Sequence, residues 1–232
     1  MPLSVSAETW SFVGKAESLE GKPLYEEHHE VSGECRDGLW QPESHEVRYL
    51  KPGTDEQFAN KTLDYSESVL RPSFELRQPE FDEKMVVENS NDKRLTIDWQ
   101  TNDGQTKEFS LSLNDEVAVD AGFDNLTREN WQAVVSDTAV SFQFLAPTRG
   151  EHYGFVLEPA QDNRIESEIV RRIGPTGMVM RFLVDPILLG YDRRGALKQY
   201  LGLTNLRQDA DSNYTANIRY EHDRMPGCDL VQ

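Results

Sequence analysis

Cysteine is almost missing from this chain: two residues in 232, Cys35 and Cys228, with no C-x-x-C pair and no metal-type spacing. That scarcity excludes a structural zinc site built of thiolates. In an oxidising compartment the two could join and tie the C-terminal tail to the N-terminal third; in a reducing one they stay thiols. Long apolar runs are also missing. The longest, "MVMRFLVDPILLGY", is cut by Arg181, Asp185 and Pro186, well short of the roughly 20 residues a spanning helix needs. Positive charge is in short supply: 24 basic against 41 acidic residues give a net charge of -17, which argues against nucleic acid and anionic lipid surfaces as partners. No G-x-S-x-G elbow, P-loop, dinucleotide fingerprint, EF-hand loop or S-x-x-K is present, so several large enzyme classes drop out.

What remains has a globular balance, 37% hydrophobic and 28% charged, with a mean hydropathy of -0.66 that predicts long polar loops. Alternation of apolar and polar residues recurs in short blocks, the mark of half-buried strands. "TWSFVGKA" (9–16), "LYEEHHEV" (24–31), "EVRYL" (46–50), "KMVVE" (84–88), "RLTIDWQ" (94–100) and "KEFSLSL" (107–113) carry it in the first half. "EVAVD" (116–120), "AVSFQFLA" (139–146), "HYGFVLEP" (152–159), "MVMRFLVD" (178–185) and "NYTANIRYE" (213–221) carry it in the second. Gly, Pro, Asn and Asp clusters punctuate them, and "NDGQ" (102–105) is the clearest hairpin turn. The expectation is a mainly β (α+β) molecule: a strongly curved antiparallel sheet or open β-barrel of about a dozen strands, with one or two helices as plug or lid. Residues 1–232 read as one β-rich domain, with 1–8 a disordered tail and 223–232 a C-terminal tail. The stretches 70–83 and 205–213 read as loops.

One segment leaves the two-residue period. "GFDNLTRENWQAVVSD" (122–137) offers Asp124 as N-cap and Leu126, Asn130, Trp131, Val134 and Val135 on one helical face. A second helix, with a strand as the other option, is "RIESEIVRRI" (164–173), where Ile165, Ile169 and Ile173 stand four apart. The start, "MPLSVSAETW", has Val5 and Ala7 placed as before a signal cleavage point, so a processed N-terminus and an ordinary tail are both open. A periplasmic or secreted location is the expectation, with the cytoplasm as the alternative.

The densest chemistry is "KPLYEEHHEV" (22–31). On a strand Tyr25, Glu27, His29 and Val31 share one face, and Leu24, Glu26, His28 and Glu30 the other. Same-face neighbours stand about 6 to 7 Å apart, so a His–Glu pair can reach a common water or ion. The Tyr25 face mixes aromatic, acid and imidazole in a partly apolar setting. Tyr25, Glu27 and His29, with Trp99 and Trp131 from the aromatic set, are therefore the candidate ligand-binding residues, and His45, His152 and His222 are candidate additions. No residue is assigned a catalytic or metal-binding role, and no cofactor is expected. "HEV" occurs at His29 and again at His45, but the position one helical turn on holds Gly33 and Tyr49 where a zincin needs histidine. Asp98 and Asp120 close two strands and could form a carboxylate pair, although turn formation is the plainer role.

The order "GKPLYEEHHEV", "FANKTLDYS" (58–66) and "PSFEL" (72–76) resembles uncharacterised bacterial β-rich proteins with a G-K-x-x-Y-x-E-x-H-like opening strand. In organisation the strand set is also similar to the open barrels of periplasmic lipoprotein carriers and lipocalins. The resemblance implies a non-catalytic envelope protein that binds an apolar or lipid-like ligand, or a protein partner, in the concave face. The alternative is a hydrolase or metal-dependent enzyme using Glu27 and His29.

Overall fold

A computed structural model describes residues 8–113, 117–177 and 185–232. The expected N-terminal tail up to residue 7 and the strand expected at 178–185, apart from Asp185, lie outside the described residues. Eight strands come first: β1 (Glu8–Glu17), β2 (Pro23–Arg36), β3 (Leu39–Leu50), β4 (Gln57–Asp64), β5 (Ser73–Gln78), β6 (Glu83–Ser90), β7 (Arg94–Gln100) and β8 (Thr106–Ser112). A two-residue strand β9 (Val117–Ala118) leads into α1 (Gly122–Glu129) and α2 (Trp131–Val135). Then follow β10 (Val140–Ala146), β11 (Glu151–Pro159), β12 (Ile169–Pro175), β13 (Ile187–Tyr191), β14 (Leu197–Arg207) and β15 (Asn213–Arg224).

All fifteen strands join one sheet in the order β8-β7-β6-β5-β4-β3-β2-β1-β15-β14-β13-β12-β11-β10-β9. Except at β8 and β9, each strand lies beside its chain neighbours, and the two runs meet where β1 pairs antiparallel with β15. Among the described strands only β9 and β10 pair in parallel, the pairing that needs a crossover, and the helices supply it. β8 and β9 end the order unpaired with each other, so the sheet curls without closing. The ends still approach. A Cβ on Gly150, in the β10–β11 turn, would stand 2.3 Å from the Phe109 ring of β8, and Gly150 has φ +62°, so glycine meets both demands.

Period-two burial runs through most strands, for example Glu83, Met85, Val87 and Asn89 inside on β6. The turn at "NDGQ" is as expected, with Gly104 at φ 79°. Five readings need correction. The segment 70–83 holds β5, and β14 extends to Arg207, so those loops are shorter than expected. The segment 164–173 ends in strand β12 and contains no helix; residues four apart share a face on a strand as they do on a helix, and Ile169 and Ile173 both turn inward. The helix over 122–137 is broken at Asn130 into two. Asp124 is not its N-cap: the chain turns earlier, at Asp120 (φ 45°), and Ala121 takes that position.

The helix pair sits in the concave side of the second run of strands. Leu126, Trp131 and Val134 pack against Phe142, Leu157, Ile173, Leu189 and Tyr191. Arg171 of β12 holds α2 from below, donating to the Val134 carbonyl and to Asp137 at 2.8 Å. The start of α1 rests on the backbone at 69–70, where Asn125 donates to the Val69 carbonyl at 2.9 Å. A Cβ at Gly122 would meet the Leu70 carbonyl at 2.0 Å, so the contact demands glycine. Cys35 and Cys228 form a disulfide, joining β2 to the segment after β15. That segment adds Trp40 N–H to the Asp229 carbonyl at 2.9 Å and buries Leu230 beside Trp10, Val31 and Trp40.

Candidate functional site

Alternation on β2 turns Tyr25, Glu27 and His29 to the concave side, with Tyr25 and Glu27 buried. The register on β1 sets Phe12 opposite His29, and that on β3 sets His45 opposite Val31, one step diagonal from His29. β15 brings in Tyr220 and His222. The result is a continuous polar chain. Tyr220 OH donates to Glu27 Oε2 at 3.0 Å, and His29 Nε2 donates to the same oxygen at 3.0 Å. His29 Nδ1 and His45 Nε2 stand 2.9 Å apart with one proton between them. Phe12 stacks flat on His29, ring centroids 4.3 Å apart.

Burial, followed by the fields of His29, Lys61 and Arg128, holds the His45 imidazole well below its ordinary value, so His45 is neutral at pH 7. Burial and the neighbouring Glu27 carboxylate push the Tyr25, Tyr49 and Tyr220 phenols well up, and all three stay protonated. His222 adjoins the chain through Phe12, whose ring lies 5.2 Å away. Its Nδ1 accepts from the Trp10 indole N–H at 3.1 Å, which leaves the proton on Nε2 to be donated to the Leu197 carbonyl at 2.9 Å. Burial lowers the His222 pKa; the bond to Leu197 pushes it the other way.

A second buried polar group crosses the same interior. Lys61 of β4 donates to both carboxylate oxygens of Asp120 at 3.0 Å, and Asp120 also accepts from Asn205 at 2.7 Å and from the Ala121 N–H at 2.8 Å. Asp120 therefore has no carboxylate partner in Asp98, which is exposed on β7 opposite Glu108.

Of the expected residues, Tyr25, Glu27 and His29 share one face, and His45 and His222 gather around the same phenylalanine. The others stand elsewhere. Trp99 donates to Glu83 at 2.8 Å beneath Lys107. Trp131 packs edge-on against Tyr191 among the helix contacts. His152 faces Gln143 on β10 at 3.4 Å. Sequence reading missed Phe12, Tyr220 and the Lys61–Asp120 pair; the only available signal was inward alternation on β1, β4 and β15, which says nothing of the partner strand. The Tyr220–Glu27–His29–His45 chain can pass a proton, but both ring nitrogens of His29 are already engaged. Among the described residues no group of three or more His, Cys, Asp or Glu is placed to share a metal ion, and no helix is long and apolar enough to cross a membrane.

The concave face of the second run differs in leaving apolar surface open. Phe123 of α1, Phe144 of β10, Phe155 of β11, Ile187 of β13 and Tyr200 of β14 border the helix-packed core and keep part of their surface accessible. Phe144 and Phe155 meet edge to face at 6.0 Å, and Phe123 lies 6.5 Å from Tyr200.

No family model matches the chain, and no curated protein matches it. Among solved structures it is similar to a β-barrel-like protein of the domain of unknown function DUF1849 from Brucella abortus, with 7% identity and a TM-score of 0.40 over 93% of this chain and 94% of that one. It is also similar to a putative outer membrane lipoprotein-sorting protein domain from Vibrio parahaemolyticus, with 9% identity and a TM-score of 0.29 over 94% of this chain and 84% of that one.

Proposed function

We propose that this chain is a non-catalytic binding protein of an oxidising compartment, periplasmic or secreted, that takes an apolar, lipid-like ligand along the concave face of its sheet. The observation that carries the reading is the strip formed by Phe123, Phe144, Phe155, Ile187 and Tyr200, which continues a helix-packed core yet keeps accessible surface. A concave lining of aromatic and aliphatic groups with a few polar ones suits an acyl chain better than a charged solute. Trp131 backs the strip from the helix side. On the neighbouring half of the same face lies the buried polar cluster of Tyr25, Glu27 and His29. The Cys35–Cys228 disulfide supports an oxidising compartment, since such a bond persists where thiols are not kept reduced.

The test is uptake of a fluorescent fatty acid, with native mass spectrometry of the purified protein for co-purified lipid. Binding is expected in the wild type and a loss of about tenfold or more in Phe155→Asp, which sets a charge into the strip. No co-purified lipid and no uptake by a folded wild type would overturn the reading, as would equal uptake by the variant.

A further inference from the structure

Three of the five histidines in the chain converge on one phenylalanine, and the Trp10–His222 and His29–His45 hydrogen bonds each depend on an imidazole lone pair. Phe12 lies 4.3 Å from His29, 6.2 Å from His45 and 5.2 Å from His222, centroid to centroid. His222 Nδ1 must be unprotonated to accept from Trp10. The His29–His45 contact tolerates one added proton, because a single N–H can still point at a single lone pair. A second added proton places two N–H groups face to face, and the contact breaks.

The cluster touches the lid as well as the sheet. The Arg128 guanidinium of α1 lies over the Trp10 ring, 5.0 Å from its centroid. From there Arg128 donates to the Gly195 carbonyl at 2.9 Å, in the β13–β14 turn, and to Asp124 of its own helix at 2.5 Å. Arg128 thus fastens α1 to the sheet at the spot where acid would create new positive charge. The charged groups facing the cluster are Glu27 on β2, Lys61 on β4, Arg128 on α1, Asp192 in the β13–β14 turn and Lys198 on β14. The cations among them oppose a charged imidazole; Glu27 and Asp192 favour one.

We propose that the histidines around Phe12 form a proton-operated latch on α1: acidification charges His222 and His45, breaks the Trp10–His222 bond, and loosens the Arg128 anchor of the helix pair. The latch stands on these contacts alone. Its use, to open the apolar strip and release ligand at low pH, rests on the function proposed above. The sign follows from the two depressed imidazoles, His45 and His222. The open form binds more protons than the closed one, so closure is fully favoured above about pH 6.5 and weakens as pH falls towards the folded-state values.

The experiment uses ligand-free protein with its disulfide intact, so it does not depend on whether a lipid binds. Amide hydrogen exchange, corrected for intrinsic rate, is followed from about pH 7.5 to about pH 5. Protection of α1 is expected to fall by about tenfold relative to the amides of Val87 and Ile97, which report the sheet. In His222→Gln with His45→Gln, where the side-chain amide still offers an acceptor at 222 and a donor at 45 but does not titrate, the fall should shrink to less than about threefold. Constant α1 protection in the wild type, or the same loss in the variant, would overturn the latch. Should the double variant fail to fold, the indole N–H resonance of Trp10 in the wild type decides: it is expected to move with the titration of His222, and a resonance that stays put while His222 titrates rejects the proposal.

Discussion

The strands from β1 to β8 and those from β9 to β15 face the same difficulty, a curved inner surface that must be filled, and they fill it differently. The first run uses its own side chains, with Tyr25, Tyr49, Tyr65, Phe74, Leu95, Ile97 and Trp99 turned inward together with Glu27, His45 and Lys61. The second run borrows two helices. Side chains of varied length can be matched to a curve residue by residue, so the first interior is filled by the strands themselves. A helix is a straight rod laid across a curve, and beyond its ends the sheet keeps uncovered apolar surface, here Phe144, Phe155 and Ile187. The helix-filled half is the one that keeps part of its inner apolar surface accessible.

Cutting the covalent tie between the two runs is the most severe way to break this comparison. Cys35 on β2 and Cys228 after β15 are 193 residues apart in sequence, so their bond constrains nearly the whole unfolded chain. Chain-entropy reasoning gives such a loop about 5 kcal/mol, and replaced native disulfides commonly cost about 2 to 5 kcal/mol. For Cys35→Ser with Cys228→Ser the expected loss is about 3 to 5 kcal/mol in urea unfolding, together with release of the Trp40–Asp229 contact. A loss below about 1 kcal/mol would mean that β1–β15 pairing and the burial of Leu230 already hold the runs together.

The buried ion pair comes next. Lys61 belongs to the first run and Asp120 to the turn that launches the helices, and both side chains are under 10% exposed. Lys61→Ala strands a carboxylate inside the sheet and should cost about 3 to 4 kcal/mol. Lys61→Met with Asp120→Asn removes both charges, and asparagine tolerates the left-handed backbone at 120, so at least half of that loss should return. If the double variant is no better than the single one, the pair itself, and not the avoidance of an unpaired charge, positions the helices.

Strand content was legible because alternation is local: β1, β2, β6, β7, β8 and β15 stand where the period put them. β5, β12, β13 and β14 were not, since short or two-sided burial blurs the alternation, as in the run of buried residues Leu188 to Tyr191 on β13. The sharing of one face by Tyr25, Glu27 and His29 follows from period two alone. Which residues stand opposite them does not. Phe12 meets His29 through the β1–β2 register, and Tyr220 meets Glu27 through a β1–β15 pairing across some two hundred residues of sequence, a choice no local pattern encodes. The halt of the helix at Asn130 was equally hidden, because Leu126 and Trp131 fit one face whether or not the helix is continuous.

The smallest effect sharpens the comparison most directly, since each interior contains a carboxylate, Glu27 of β2 or Asp124 of α1, that accepts from a buried tyrosine. Tyr220 OH donates at 3.0 Å to Glu27, whose side chain is 9% exposed; Tyr191 OH donates at 3.0 Å to Asp124, whose side chain is 21% exposed and already holds Arg128. Removing either hydroxyl with phenylalanine keeps the ring and its packing, so the measured loss reflects the hydrogen bond. Glu27 is left with His29 as its remaining donor in a dry setting, and Tyr220→Phe should cost about 1.5 to 2 kcal/mol. Asp124 keeps its arginine and some contact with water, and Tyr191→Phe should cost about 0.5 to 1 kcal/mol. Equal losses in paired urea unfolding curves would show that the two interiors are alike in polarity, and the contrast between a side-chain-filled half and a helix-filled half would then concern shape alone.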